Sequence, residues 1–83
     1  MSVMYYVYVL HSLKEPDRYY VGYTVDLEHR LDGHNSGKSA HTKPWLPWEI
    51  SAYVAFRSKA KAQQFEKYLK SGSGYAFFRK HLV

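Results

Sequence analysis

Tyr19-Tyr20-Val21-Gly22-Tyr23-Thr24-Val25-Asp26-Leu27-Glu28-His29-Arg30-Leu31 contains a change of period that decides the fold. Up to Thr24 the residues are tyrosine, valine and threonine in alternation, which predicts a strand over residues 19–24. Asp26 then supplies a side-chain acceptor for free backbone N–H groups, so a helix begins there and runs to about residue 35. Asn35-Ser36-Gly37 stops it. Gly22, inside the strand, leaves room for another backbone or side chain to approach closely.

Upstream, residues 5–11 alternate in the same way. Tyr6, Tyr8 and Leu10 share one face, and Tyr5, Val7 and Val9 share the other. Residues 14–18, with Glu15-Pro16-Asp17, form a polar turn, so the two strands are expected to pair antiparallel as a hairpin. Six of the nine tyrosines fall within the first 23 residues. Phenylalanine would pack as well without demanding a partner for each hydroxyl, so the excess hints at polar chemistry on the sheet.

Downstream, residues 36–48 read as a loop carrying Lys38, His41 and Lys43, with two Pro-Trp steps. Trp45 and Trp48 are expected to pin it to the core. Residues 49–56 read as a third strand. Ser58 caps a helix over residues 59–70 that ends at Ser71-Gly72, and a short helix over 75–82 follows. The expected fold is α+β, one domain over residues 1–83. Its three-stranded antiparallel sheet is faced by helices in the order β-β-α-β-α-α.

With 83 residues, 46 % hydrophobic and 18 % aromatic, the chain is large enough for one modest core and is not of disordered composition. It has no cysteine, which excludes disulfides, cysteine-ligated zinc and a cysteine nucleophile. The longest apolar stretch is eight residues, far short of a bilayer span, and no cleavable leader pattern is seen. A soluble cytoplasmic protein with no membrane association is the expectation. Residues 1–33 carry three basic and five acidic side chains, whereas residues 34–83 carry nine and two. A basic half of this kind favours a polyanionic partner, nucleic acid first and an anionic membrane surface second.

Two positions break the helical patterns. In the first helix Leu27 and Leu31 point to the core, and at 100° per residue Arg30 and His34 fall in the same arc. They must find partners or face a cleft. In the second helix the apolar stripe is Ala62, Phe65 and Leu69, and Glu66 lies on its margin among Lys59, Lys61, Lys67 and Lys70. Pairing with a lysine one turn away is one reading. A one-carboxylate site for Mg²⁺, whose other ligands are water and substrate phosphate, is another. Spacing leaves both open.

The combination is more specific than its parts. A Tyr-Val-Tyr strand precedes a Tyr-Val-Gly strand; arginine follows that glycine by eight residues, then histidine, and a distal helix carries a lone glutamate. This resembles the GIY-YIG nuclease superfamily, in particular its small stand-alone members such as the UPF0213-like proteins. The resemblance covers about residues 4–82. It is strongest in Tyr-Val-Gly-Tyr-Thr-Val-Asp-Leu-Glu-His-Arg-Leu, in His34-Asn35-Ser36-Gly37-Lys38 and in Glu66-Lys67-Tyr68-Leu69-Lys70-Ser71-Gly72. The first motif begins with Tyr6 where the name motif has glycine, a change expected to narrow the cleft. Val7 and Val21 replace isoleucines. Tyr23 stands where some members carry a lysine or small residue near the cleft.

The resemblance implies a metal-dependent endonuclease acting on DNA, RNA being a further option, in repair or recombination and on branched or damaged structures. It implies Tyr8, Tyr20, Arg30 and His34 as catalytic residues and Glu66 as the ligand of Mg²⁺ or Mn²⁺. Arg30 would neutralise transition-state charge, and Tyr8 or Tyr20 would deprotonate or position the water, with His34 as the alternative base. A free phenol titrates near pH 10, so Arg30, the metal and His34 are expected to lower it. Lys38, Lys43, Lys59 and Lys61 are backbone-binding candidates. Nothing in the chain reads sequence, so target choice is expected from a protein partner or from nucleic-acid shape. A binding module of the same fold with weak or no catalysis is the alternative, and a protein-interaction domain with an incidental basic face is a third.

Overall fold

The computed structural model describes residues 3–83. The alternating aromatic and β-branched residues form β1 (Tyr5–Ser12) and β2 (Tyr19–Thr24), paired antiparallel with Tyr8 opposite Gly22. The second Pro-Trp step leads into β3 (Trp48–Phe56), which pairs antiparallel with β1 and sets Tyr53 opposite Tyr8. The sheet order is β2-β1-β3, so β1 is central and saturated on both edges.

Three helices cover the sheet, each begun by a side-chain cap. Asp26 accepts from His29 N at 3.0 Å to start α1 (Leu27–Asn35). Ser58 accepts from Lys61 N to start α2 (Lys59–Leu69), and Ser71 accepts from Gly74 N to start α3 (Gly72–His81). Each satisfies a backbone donor that the first turn leaves free. The fold is therefore α+β in the expected order, with a 3-10 turn at Lys43–Trp45 inside the connecting loop.

Several boundaries differ from expectation, and α2 and α3 each end one residue early, at Leu69 and His81. The first and third strands each gain one residue, Ser12 and Trp48. The last helix starts at Gly72 and not at residue 75. Ser71-Gly72 ends one helix and at once caps the next, because Gly74 lets α3 fold back on the end of α2. A Cβ at Gly74 would lie 1.6 Å from the Tyr68 carbonyl oxygen.

The alternation divides the sheet into two faces. Val7 and Val9 point to one, where they pack with Ala62, Leu69 and Phe78 of α2 and α3. Tyr8 and Leu10 point to the other, where they pack with Trp48 under α1 and the connecting loop. Trp48 is buried and Trp45 lies beneath the Arg18 guanidinium at 3.8 Å, so both tryptophans pin the loop as expected. Ser12, fully buried, donates to Trp45 O at 2.7 Å and accepts from Lys14 N and Glu15 N, tying the hairpin turn to that loop. Tyr5 stacks on Tyr23 and Tyr19 meets Phe78 edge-on, which accounts for three tyrosines as sheet builders. Tyr23 thus faces the α2–α3 layer and not the cleft side where sequence placed it. No helix among the described residues is long and apolar enough to cross a membrane.

Candidate active site

The second face carries the polar chemistry. Tyr8 occupies the middle of the central strand and is 2 % exposed. Its ring lies directly over Gly22: a Cβ there would sit 2.3 Å from Cζ and from the hydroxyl oxygen. Only glycine at this position lets the phenol lie flat across β2 and deliver its hydroxyl to α1.

On α1 the expected arc is occupied. Leu27 and Leu31 pack on the Tyr8–Leu10–Trp48 core, and His34, in the same arc, is buried at 1 % exposure. Arg30 keeps its guanidinium toward solvent and donates from Nε to the Tyr8 hydroxyl at 3.2 Å. His34 Nε2 lies 3.0 Å from the same oxygen, and its Nδ1 lies 2.9 Å from Thr42 Oγ1. The Tyr20 ring leans against His34 with centroids 4.8 Å apart, and against Tyr8 at 6.3 Å. Structure therefore brings Tyr8, Tyr20, Arg30 and His34 into one cluster.

One assignment of protons satisfies every member of this cluster. No buried side-chain nitrogen or oxygen among the described residues lacks a partner. The Tyr8 oxygen accepts from Arg30, and the acceptor within reach of its own proton is His34 Nε2. In this assignment His34 carries its proton on Nδ1 and donates it to Thr42 Oγ1. Thr42 in turn points its hydroxyl at Ser39 O, at 3.4 Å. The chain reads Arg30 to Tyr8 to His34 to Thr42, every link with one donor and one acceptor. Thr42 is itself fixed, since it is fully buried and its carbonyl accepts from Trp48 Nε1 at 2.8 Å. Asn35 closes the loop by clamping the Trp48 backbone, donating to O at 3.0 Å and accepting from N at 2.7 Å.

Electrostatics follow from this packing. Burial pushes the Tyr8 phenol above its ordinary value of 10.0; Arg30 opposes this, and Tyr20 and Glu66 add to it. The expected lowering is thus reversed among the protein groups, because desolvation outweighs one guanidinium. The bond it donates to Tyr8, with burial working against it, holds Arg30 above its ordinary value, and Tyr20 helps. Burial, then Arg30, pushes His34 below its ordinary 6.5, so it stands neutral and able to accept a proton.

Glu66 sits half-buried on the margin of the α2 stripe and pairs with Lys70 at 3.3 Å. Its charge acts on the Tyr8 hydroxyl, but no hydrogen bond joins it to the tyrosines. Among the described residues no group of three His, Asp or Glu side chains converges to hold a metal ion. A single carboxylate can hold Mg²⁺ only when water and substrate oxygens complete the shell, and Glu66 is here engaged by Lys70. Lys38 lines a cleft of about 290 Å³ with His29, Arg30, Asp32, Gly33 and Ser36. Lys43, Lys59 and Lys61 are exposed. Tyr6 turns its ring edge-on to Tyr53, at 5.9 Å, and not into the cluster. Thr42 and the Asn35 clamp were invisible in sequence, because a threonine in a polar loop and an asparagine at a helix end are both ordinary there.

Comparison with known proteins gives the family. Residues 4–76 match the family described as the GIY-YIG catalytic domain. A UPF0213 protein of Streptococcus pneumoniae is 42 % identical over 66 residues, 78 % of this chain and 65 % of that protein. A UPF0213 protein of Lactococcus lactis is 43 % identical over 80 % of this chain and 62 % of its own length. The match thus spans less than two thirds of these relatives. One from Oceanobacillus iheyensis is 38 % identical over 84 % of this chain and 80 % of its own length. The solution NMR structure of a UPF0213 protein from Bacillus halodurans superposes with a TM-score of 0.55 at 31 % identity, covering 93 % of this chain and 83 % of that one.

Proposed function

The chain belongs to the GIY-YIG catalytic domain family, and from that premise and the Tyr8 cluster we propose that it is an endonuclease hydrolysing phosphodiester bonds in DNA. The observation that carries the reading is the hydrogen-bonded chain Arg30–Tyr8–His34–Thr42. Phosphodiester hydrolysis needs a proton acceptor for the attacking water and a cation for the developing charge, and this chain holds both on one oxygen.

In the proposed mechanism the Arg30 guanidinium, exposed beside its cleft, binds a phosphate oxygen with the donors that Tyr8 does not use. Tyr8 Oη takes the proton of the attacking water on its remaining lone pair while its own proton passes to His34 Nε2. The phenol therefore need not ionise first, and its upward-shifted pKa is no obstacle. His34, held neutral, receives the proton; Thr42 keeps Nδ1 as the donor so that Nε2 stays open. Tyr20, half-buried against Arg30 and His34, orients the phosphate. Glu66 would hold Mg²⁺ or Mn²⁺, which when bound neutralises phosphate charge and assists the leaving oxygen.

Lys38, beside Arg30, extends the cationic surface along the backbone, with Lys43, Lys59 and Lys61 adding salt-dependent attraction. A binding module without turnover is the second reading, favoured by the engagement of the lone carboxylate with Lys70. The test is a panel of duplex, single-strand, flap and four-way DNA with Mg²⁺ and Mn²⁺. Cutting that disappears in both Glu66→Ala and Arg30→Ala, with melting unchanged, supports the nuclease. Cutting that persists in both points to another site. Salt-sensitive binding with no turnover on any substrate supports the binding module.

A further inference from the structure

The face of the sheet that carries the Tyr8 cluster is only half covered. Toward Leu10 it lies beneath Trp45, Leu46 and Trp48, but toward its other end Tyr6 and Tyr53 belong to neither core. Tyr53 stands opposite Tyr8 on β3 and is 55 % exposed. Tyr6 shares the Tyr8 face two residues along the strand, about 7 Å away, and meets Tyr53 edge-on at 5.9 Å. The two rings form an aromatic ledge that starts where the catalytic phenol ends.

Core packing does not account for this ledge, and position 6 departs from the glycine of the family motif. The chain beyond it on β3 is basic. β3 runs from the ledge into exposed Arg57 and Lys59, and its single acid, Glu49, lies at the opposite end. A half-buried and an exposed aromatic ring on the face of the arginine-bonded Tyr8 suit a nucleobase that has left its stack, because every base offers a π-face.

Resting on the nuclease reading above, we propose that Tyr6 and Tyr53 form a stacking subsite for an unpaired nucleobase next to the scissile phosphate, so that the substrate class is nucleic acid with a single-stranded nucleotide at the cut. A blunt, fully paired duplex keeps its bases stacked and cannot use the ledge. Flaps, overhangs and single strands can.

The test measures binding and cutting separately. Full-length protein in EDTA is titrated into a DNA single strand containing 2-aminopurine and into a blunt duplex of the same sequence, with fluorescence and anisotropy read together. Wild type is expected to alter 2-aminopurine emission in the single strand and to prefer it to the duplex. Tyr53→Ala should weaken single-strand binding about tenfold, within the range of one lost stacking contact, while Tyr53→Phe restores it and Tyr53→Leu does not. Tyr6→Ala, checked by melting, should behave as Tyr53→Ala. Unchanged single-strand affinity in Tyr53→Ala, an equal loss on blunt duplex, or rescue by leucine as good as by phenylalanine overturns the proposal. Stacking without cutting by any metal-loaded protein would overturn the nuclease and leave the ledge standing. Cutting of blunt and single-stranded DNA alike, indifferent to Tyr53→Ala, would do the reverse.

Discussion

Thr42 Oγ1 and His34 Nδ1 meet at 2.9 Å inside the protein, and this bond decides which imidazole nitrogen faces Tyr8. A loop residue eight positions away thereby sets the tautomer of a helix residue. Thr42→Val keeps the shape but removes the hydroxyl, leaving Nδ1 unpaired at a cost of about 1–3 kcal/mol. Nitrogen-resolved NMR of His34 should show the proton leaving Nδ1, turnover should fall at least about tenfold, and Thr42→Ser should restore both. A Thr42→Val protein with the wild-type tautomer would separate Thr42 from the site.

Gly22→Ala places a methyl where the Tyr8 ring now lies. The ring must swing off β2, breaking its bonds to Arg30 and His34 together. Overpacking of this kind costs about 1–3 kcal/mol, which chemical denaturation will read. Turnover should fall far more than stability does, toward that of Tyr8→Phe.

Stability should narrow at both ends of the pH scale. His34 is held below its ordinary 6.5, so its contribution is complete above that pH and is lost as pH falls through the lowered value. Tyr8 is held above its ordinary 10.0, so its contribution is complete below that pH and is lost as pH rises through the raised value. Urea midpoints across pH 4 to 11, about the range that spans both groups, check this. His34→Gln should flatten the acid limb, and Tyr8→Phe the alkaline one.

Gly74→Ala tests the turn between the last two helices. The added carbon would overlap the Tyr68 carbonyl, so α3 must move off α2 and expose Phe78. A loss on the order of 3 kcal/mol or more is expected, comparable to emptying a buried apolar site. The midpoint of thermal or urea unfolding measures it, and a wild-type midpoint would disprove the close approach.

Binding should depend on salt through the lysines in different ways. Lys38 shares a cleft with Arg30, so Lys38→Ala should lower the slope of log affinity against log salt by about one and also slow cutting. Lys61→Ala, on α2, should lower the slope without slowing cutting once substrate saturates.

What could be read beforehand was what is local. Asp26 and Ser58 announce their helices because the side chain bonds within its own turn. Tyr8, Leu10, Val7 and Val9 sorted onto their faces because a strand alternates. His34 fell in the buried arc of α1 because a helix advances 100° per residue. The start of α3 did not show, because Ser71-Gly72-Ser73-Gly74 reads as a breaker until the Tyr68 backbone is known to lie against Gly74. The sign of the Tyr8 shift was hidden for the same reason, since desolvation depends on what α1 and its loop lay over the ring. Thr42 gave no signal at all: its value comes wholly from the ring nitrogen it meets.

Tyr8 is at once a member of the Leu10–Trp48 core and the hub of the proton chain. The domain therefore has no reserve between order and competence. Warming that loosens this core by fractions of an ångström will detune the hydroxyl while the α2–α3 core still holds the fold together. The working temperature ceiling should accordingly lie below the melting point, with full recovery on cooling.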